Sequence, residues 1–199
     1  MSSASVLLTA FGPFGGEKIN PAEEAARRVK SENVTVLILP VEYKAAADLT
    51  VEAIDRLKPE IVISVGQAGG RTGITPERVG VNLRNASCAD NAGVVCENES
   101  IVPGGEERLL SSFDPDGIAE ALTGAGFSAY VSDGAGTYVC NDVMYSVLYR
   151  LRGTAVKAGF IHVPFCTEQA AGHPGAFSMS VEDMARALDI AIETVRKTM

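Results

Sequence analysis

Cys140 lies in Ser132-Asp133-Gly134-Ala135-Gly136-Thr137-Tyr138-Val139-Cys140-Asn141-Asp142, between an apolar run, Phe127 to Val131, and an apolar stripe, Val139, Val143, Val147 and Leu151. The run reads as a strand and the stripe, at helical spacing, as a helix. Gly134 and Gly136 supply the turn between them. Cys140 thus falls near a helix start, where unpaired N–H groups and the helix dipole favour a thiolate and make it a candidate nucleophile. A small buried hydrophobe is the alternative for a cysteine at that place. Of the two histidines, His162 stands near the end of the apolar run Ala158 to Val163, as a satisfied core residue or as a base at the sheet's edge, while His173 sits in His173-Pro174-Gly175 and reads as a surface turn. Glu77 follows Thr75-Pro76 in a short strand-like stretch. A thiol, an imidazole and a carboxylate that can hold the imidazole's tautomer are the groups that acyl transfer by a cysteine hydrolase requires.

The elements that must position these groups alternate. Val6 to Phe11, Val34 to Leu39 and Ile61 to Val65 are continuous apolar runs, read as buried strands. Asn20-Pro21-Ala22-Glu23 starts a helix reaching about Lys30, and Ala46, Leu49, Ala53 and Leu57 form a second, ended before Pro59. This βαβαβ order predicts an α/β fold: one domain over residues 1–199, an open, twisted, mostly parallel sheet with helices on both faces. Asp116 is expected to cap a helix to about Thr123, and Ser180-x-x-Asp183 to cap the last one, with the stripe Val181, Met184, Leu188, Ile192 and Val195. Residues 99–117 read as loop with a short helix. The turn after the first strand holds side chains suited to a pocket, since open α/β sheets bind ligands there. Phe11 and Phe14 flank Gly12-Pro13, and Gln67 opens Gln67-Ala68-Gly69-Gly70-Arg71. For the rings the alternative is core packing, for Gln67 the satisfaction of turn backbone. Asn20 reads as a helix cap.

Composition narrows the function. The 199 residues suit one well-buried domain, with 46% hydrophobic and 21% charged residues and a positive mean hydropathy. A formal net charge of −8 argues against nucleic acid or an anionic membrane surface as partner. No apolar run approaches the ~20 residues needed to span a bilayer. The N-terminus lacks a basic region and a cleavage site, which predicts no signal peptide. The four cysteines, Cys88, Cys96, Cys140 and Cys166, have neither CxxC nor His-rich spacing, which opposes a zinc site and fits reduced thiols and a cytoplasmic setting.

Five blocks, in order from about residue 6 to residue 169, resemble the pyroglutamyl peptidase I family of cysteine peptidases. They are Phe11-x-Pro13-Phe14-Gly15-Gly16 with Asn20-Pro21, Gly66-Gln67-Ala68-Gly69-Gly70-Arg71, Ile74-Thr75-Pro76-Glu77-Arg78-Val79, Ala135-Gly136-Thr137-x-Val139-Cys140-Asn141, and Gly159-Phe160-Ile161-His162-Val163-Pro164. The resemblance implies Cys140 as nucleophile, His162 as general base and Glu77 as orienting acid. It also implies removal of an N-terminal pyroglutamyl (5-oxoprolyl) residue from peptides through a thioester, without metal or cofactor. Homo-oligomers occur in the family, but no feature of this chain sets an assembly. A lactam has no charged amine, so its pocket should be apolar with a few hydrogen-bonding groups, the roles expected of Phe11, Phe14 and Gln67.

The chain departs from the family pattern twice. The family's arginine ten residues after the catalytic glutamate is replaced by Ser87, which puts oxyanion stabilisation in question, with Arg71 and Arg84 as possible substitutes. Glu99 to Asp116 also departs from the commoner pattern. Two competing functions follow from other features. A binding protein that kept the pocket and lost turnover would fit Ser87. A nucleoside phosphorylase would fit the glycine-rich turns, but needs a cluster of basic groups for phosphate.

Overall fold

A computed structural model describes residues 3–199, so the first two residues of the expected domain span lie outside the described residues. The central sheet has strand order β2-β1-β3-β7-β4. Strands β1 (Val6–Phe11), β2 (Val34–Leu39), β3 (Ile61–Gln67) and β7 (Lys157–Val163) run parallel, and the two-residue β4 (Thr75–Pro76) pairs antiparallel with β7 at the edge. β1 is joined to β2 on one side and neighbours β3 on the other, so the strand order reverses at β1. That reversal opens a crevice beyond the carboxyl ends of β1 and β3.

Alternation along these strands sorts side chains to two covered faces. Val6, Leu8, Ala10, Ile61, Ile63, Val65, Ile161 and Val163 pack on one face. Helices α1 (Pro21–Ala26), α3 (Pro115–Gly124) and α5 (Val181–Arg196) cover it. Leu7, Phe11, Val62, Ala158 and Phe160 point to the other face, against α2 (Ala45–Leu57) and α4 (Val139–Leu151). The second face carries a buried hydrogen bond, Thr9 Oγ1 to Ser64 Oγ at 2.9 Å. His162 shares the parity of Ala158 and Phe160, so it too faces α4.

Three boundaries differ from the sequence expectation. Phe127 to Val131 is not a strand. It is extended backbone with two isolated parallel bridges, Ile74 with Ala129 and Glu77 with Ser132, because the edge beside it is only as long as β4. Helix α1 ends at Ala26 rather than near Lys30. The next backbone bonds tighten to Arg28 N–Ala25 O, and the Asp189 carboxylate of α5 accepts from the Lys30 and Ser31 amides at 3.0 and 2.8 Å. Helix α3 is capped by Asp114, not Asp116, with Pro115 in the first helical position. Asp116 instead receives two 2.9 Å bonds from Arg78. Ahead of α3, the stretch from residue 99 holds no helix and contributes β6 (Arg108–Leu110), antiparallel to β5 (Val79–Val81). The caps at Asn20 and Ser180 form as expected, each side chain accepting a first-turn amide. A short pair, β8 (Phe165–Cys166) with β9 (Ser178–Met179), completes the fold. No helix among the described residues is long and apolar enough to cross a membrane.

Candidate active site

At the carboxyl ends of β1, β3 and β7, the sheet and the start of α4 enclose a cavity of about 180 Å³, lined by Phe11, Phe14, Asn20, Val41, Gln67, Ala135, Tyr138, Cys140 and His162. The backbone register explains how it is built. His162 pairs with Gly66 of β3 on one side and Thr75 of β4 on the other. A Cβ at Gly66 would lie 2.9 Å from the Phe160 ring and 3.0 Å from Cys140 Sγ. The missing side chain therefore lets the α4 terminus bring its thiol down onto the sheet. Beyond β4, the Glu77 amide bonds to Phe160 O at 2.8 Å and its carbonyl accepts from Ser111 Oγ at 2.7 Å. These contacts hold the carboxylate beside the next inward residue of β7.

Glu77 Oε1 lies 2.6 Å from His162 Nδ1, and Glu77 is fully buried. The same oxygen accepts from Arg71 Nη1 at 2.5 Å. Arg71 also bonds to Thr75 Oγ1 and, at 3.4 Å, to Gly134 O. Burial drives the Glu77 carboxyl upward, but the His162 hydrogen bond and the His162 and Arg71 charges outweigh it, holding Glu77 below its ordinary value. Burial lowers His162 despite the carboxylate beside it. With its proton on Nδ1, the neutral ring donates to Glu77 and leaves its Nε2 lone pair free.

Burial and the Glu77 charge push the Cys140 thiol up to about 12, against the opposing pull of Arg71 and a backbone N–H. Both effects work against the thiolate that the helix start favours. Desolvation at this half-buried site exceeds what the helix start contributes. That start is nonetheless open. The first intrahelical bond is Asp142 N to Tyr138 O at 3.1 Å, which leaves the N–H groups of Val139, Cys140 and Asn141 outside the helical ladder. The side chains after Cys140 brace it. Asn141 accepts from Val81 N at 2.9 Å and donates to Val81 O and Leu83 O. Asp142 accepts from Lys44 N and from Arg84 Nε, at 2.8 and 2.9 Å.

All six residues singled out in the sequence come together here. Cys140, His162, Phe11, Phe14 and Gln67 line the cavity, and Glu77 stands behind His162. Phe11 is also a core residue, with its ring centroid 6.4 Å from that of Phe160, so the packing and lining readings both hold for it. Asn20 caps α1 and lines the cavity as well, its Nδ2 donating to Gly12 O at 2.8 Å. Gln67 accepts from Gln169 Nε2 at 3.4 Å. Tyr138 and Ala135 stand in the quoted Cys140 stretch but carried no chemical signal of their own. Val41, just past β2, carried none at all. Burial pushes the Tyr138 hydroxyl up to about 12, and it donates to Ala89 O at 3.0 Å.

The two arginines separate. Arg84 is buried against Asp142, whereas Arg71 reaches Glu77. Ser87 is exposed and absent from the cavity wall. His173 is more than a surface turn: its ring stacks on Phe165 at 3.8 Å and its Nε2 lies 2.8 Å from Glu17 Oε1. Among the described residues, no group of three or more His, Cys, Asp or Glu is arranged to hold a metal ion, and all four cysteines are free.

A family model described as "Pyroglutamyl peptidase" matches residues 4–198. The pyrrolidone-carboxylate peptidase of Chromobacterium violaceum is 44% identical over 194 residues, 95% of this chain and 91% of the relative. That of Escherichia fergusonii is 42% identical over 196 residues, 96% and 92% of the two chains. Among solved structures, the crystal structure of Bacillus amyloliquefaciens pyroglutamyl peptidase I matches with a TM-score of 0.93 at 36% identity, covering 98% of this chain and 97% of that one. A mutant pyrrolidone carboxyl peptidase from the hyperthermophile Pyrococcus furiosus matches with a TM-score of 0.91 at 38% identity, covering 98% and 99%.

Proposed function

Because the chain belongs to the pyroglutamyl peptidase family, we propose that it removes the N-terminal pyroglutamyl residue from peptides with Cys140 as nucleophile, His162 as base and Glu77 as orienting acid. The observation that carries this reading is the 2.6 Å Nδ1–Oε1 contact that orients His162, in a cavity that His162 shares with Cys140. The pyroglutamyl ring enters between Phe11, Phe14 and Tyr138. The side-chain amides of Gln67 and Asn20 meet its lactam N–H and carbonyl. None of the described residues lining the cavity is a carboxylate, lysine or arginine, which suits a ring that has lost its amine charge.

With a resting thiol and a neutral imidazole, proton transfer accompanies attack. Cys140 Sγ bonds to the pyroglutamyl carbonyl carbon as its proton passes to His162 Nε2. The new imidazolium is held by Glu77, and the oxyanion by the free amides at the α4 start. His162 then gives its proton to the leaving amine as the C–N bond breaks, forming the thioester. Water attacks the thioester, its proton going to His162 and then to the departing sulfur. Free pyroglutamate leaves and Cys140 is restored.

Release of a fluorescent amine from a pyroglutamyl amide, with and without thiol alkylation, tests this sequence. Turnover abolished by alkylation and by Cys140→Ala in folded protein is the expected result. Turnover retained by Cys140→Ala would overturn the assignment.

A further inference from the structure

Arg71 has no step in that sequence, yet its guanidinium bonds to the carboxylate that orients His162. It approaches Glu77 on the very oxygen that His162 uses, and it is itself mostly covered, with 21% of its side chain exposed against 0% for Glu77. An ionised carboxylate removed from water needs a compensating cation. Among the described residues, two groups pair with it and can supply one, Arg71 or a protonated His162. If Arg71 supplies it, the imidazole stays neutral and free to accept a proton. If Arg71 were absent, the balanced state of the cluster would be carboxylate with imidazolium, and the base would already be spent. The other titratable groups of the cavity that His162 borders are Cys140 and Tyr138 at the start of α4; β3 offers uncharged Gly66 and Gln67, and β4 uncharged Thr75.

We propose that Arg71 is a positioning residue for the reaction: by sharing Glu77 Oε1 with His162, it keeps that pair as carboxylate and neutral imidazole. Its second guanidinium nitrogen reaches Gly134 O in the turn ahead of α4, so the same side chain ties the acid to the loop that delivers Cys140. The direction of the Arg71 charge agrees at each group: it lowers Glu77, His162 and Cys140 alike. The inference rests on the reaction proposed above for Cys140 and His162.

The test compares parent, Arg71→Met and Arg71→Lys by two pH profiles: kcat/KM on a pyroglutamyl amide, and alkylation of Cys140 by iodoacetamide. Alkylation is read on the Cys140 peptide by mass spectrometry, because Cys88 is exposed. Arg71→Met should lower kcat about 10- to 100-fold, short of the loss of a general base. It should also move the acid limb of both profiles upward by about one pH unit. Arg71→Lys, keeping the charge without the fork, should restore the limb while kcat stays low. If Arg71→Met does not fold, Arg71→Gln gives the uncharged case. A folded, uncharged variant whose acid limb coincides with the parent's overturns the inference, because a purely structural residue leaves it in place. The alkylation profile needs no substrate. A displaced limb in a protein without turnover supports the role of Arg71 and overturns the proposed reaction; turnover with an unmoved limb does the reverse.

Discussion

Two arginine pairs with fully buried carboxylates flank the start of α4, and they differ in what else shares the carboxylate. Asp142 is fully buried. It receives the Lys44 amide that opens α2 and two nitrogens of Arg84, itself only 6% exposed. All of its partners are backbone or guanidinium donors, so the pair joins three segments. Glu77 is equally buried, but one of its partners is an imidazole that borders a cavity. In the proposed reaction the same ion-pair chemistry is a brace in one place and a proton-handling device in the other. The distinction lies in whether a group of intermediate pKa and open access completes the pair.

The sharpest test of that contrast is removal of charge from each carboxylate. Glu77→Gln should reduce kcat by on the order of 10³ to 10⁴, the loss expected when the third member of a triad no longer fixes tautomer and charge. Steady-state kinetics on a pyroglutamyl amide reads it, and a decrease below tenfold would dissolve the contrast. In stability, the Glu77 carboxyl is held below its ordinary 4.5. Its contribution is therefore fully present above that value and lost as pH falls through the lower folded value.

Asp142→Ala should show the opposite signature. It strands a buried guanidinium, and breaking such a pair costs about 3 to 5 kcal/mol. That predicts a drop in Tm of roughly 10 °C for a chain of this size. Activity per folded molecule should stay within about tenfold of the parent. Calorimetry beside active-site titration separates the two readouts, and a rate collapse at unchanged Tm would make Asp142 part of the chemistry.

Gly66→Ala probes the geometry between the two pairs without touching either charge. The added methyl meets Phe160 and Cys140 Sγ at 2.9 and 3.0 Å, so the thiol or the ring must give way. A displacement of this kind at a nucleophile should lower kcat roughly 10- to 100-fold, with a smaller effect on the binding of free pyroglutamate measured by calorimetry. Parental kcat would show that the α4 terminus is not held by this contact.

The parent's own pH profile then reads the resting state of the Glu77 pair. His162 is lowered from 6.5 and Cys140 raised to about 12. The kcat/KM profile should therefore rise with pH through a midpoint below 6.5 and stay level well into the alkaline range. A midpoint above 7 would mean an imidazolium at rest and a thiolate partner, contrary to the neutral pair.

What was legible in the sequence divides along similar lines. The parallel strands could be read because both faces are covered, so Val6 to Phe11 and Ile61 to Val65 are apolar throughout. His162 could be read because it stands near the end of such a run, and Cys140 because it sits at the start of a helical apolar stripe. The extended segment from Phe127 looked the same on paper, but the two-residue β4 beside it cannot support a full ladder. Arg84 and Asp142, 58 positions apart, gave no sign of pairing. Neither did the sharing of one Glu77 oxygen by Arg71 and His162, because which side chains meet depends on loops whose course no local pattern encodes. Residues 99–114 are of that kind: their one strand, Arg108–Leu110, has meaning only against Val79–Val81.

The smallest expected effect belongs to Ser87, the departure that put the oxyanion in question. Ser87 is exposed and borders a separate surface depression with Asn85, Ala86, Glu97 and Asn98 rather than the cavity. The amides of Val139, Cys140 and Asn141 lie outside the α4 ladder whatever residue stands at 87. Preorganised backbone donors of this sort are a large part of oxyanion stabilisation. Ser87→Arg should accordingly change kcat by less than about threefold and leave Tm unaltered, since nothing buried is disturbed. An increase of tenfold or more would show that the α4 amides are insufficient and that a cation from this loop completes the site. In that case neither Arg71 nor Arg84 supplies what position 87 lacks, as both guanidinium groups are committed to carboxylates.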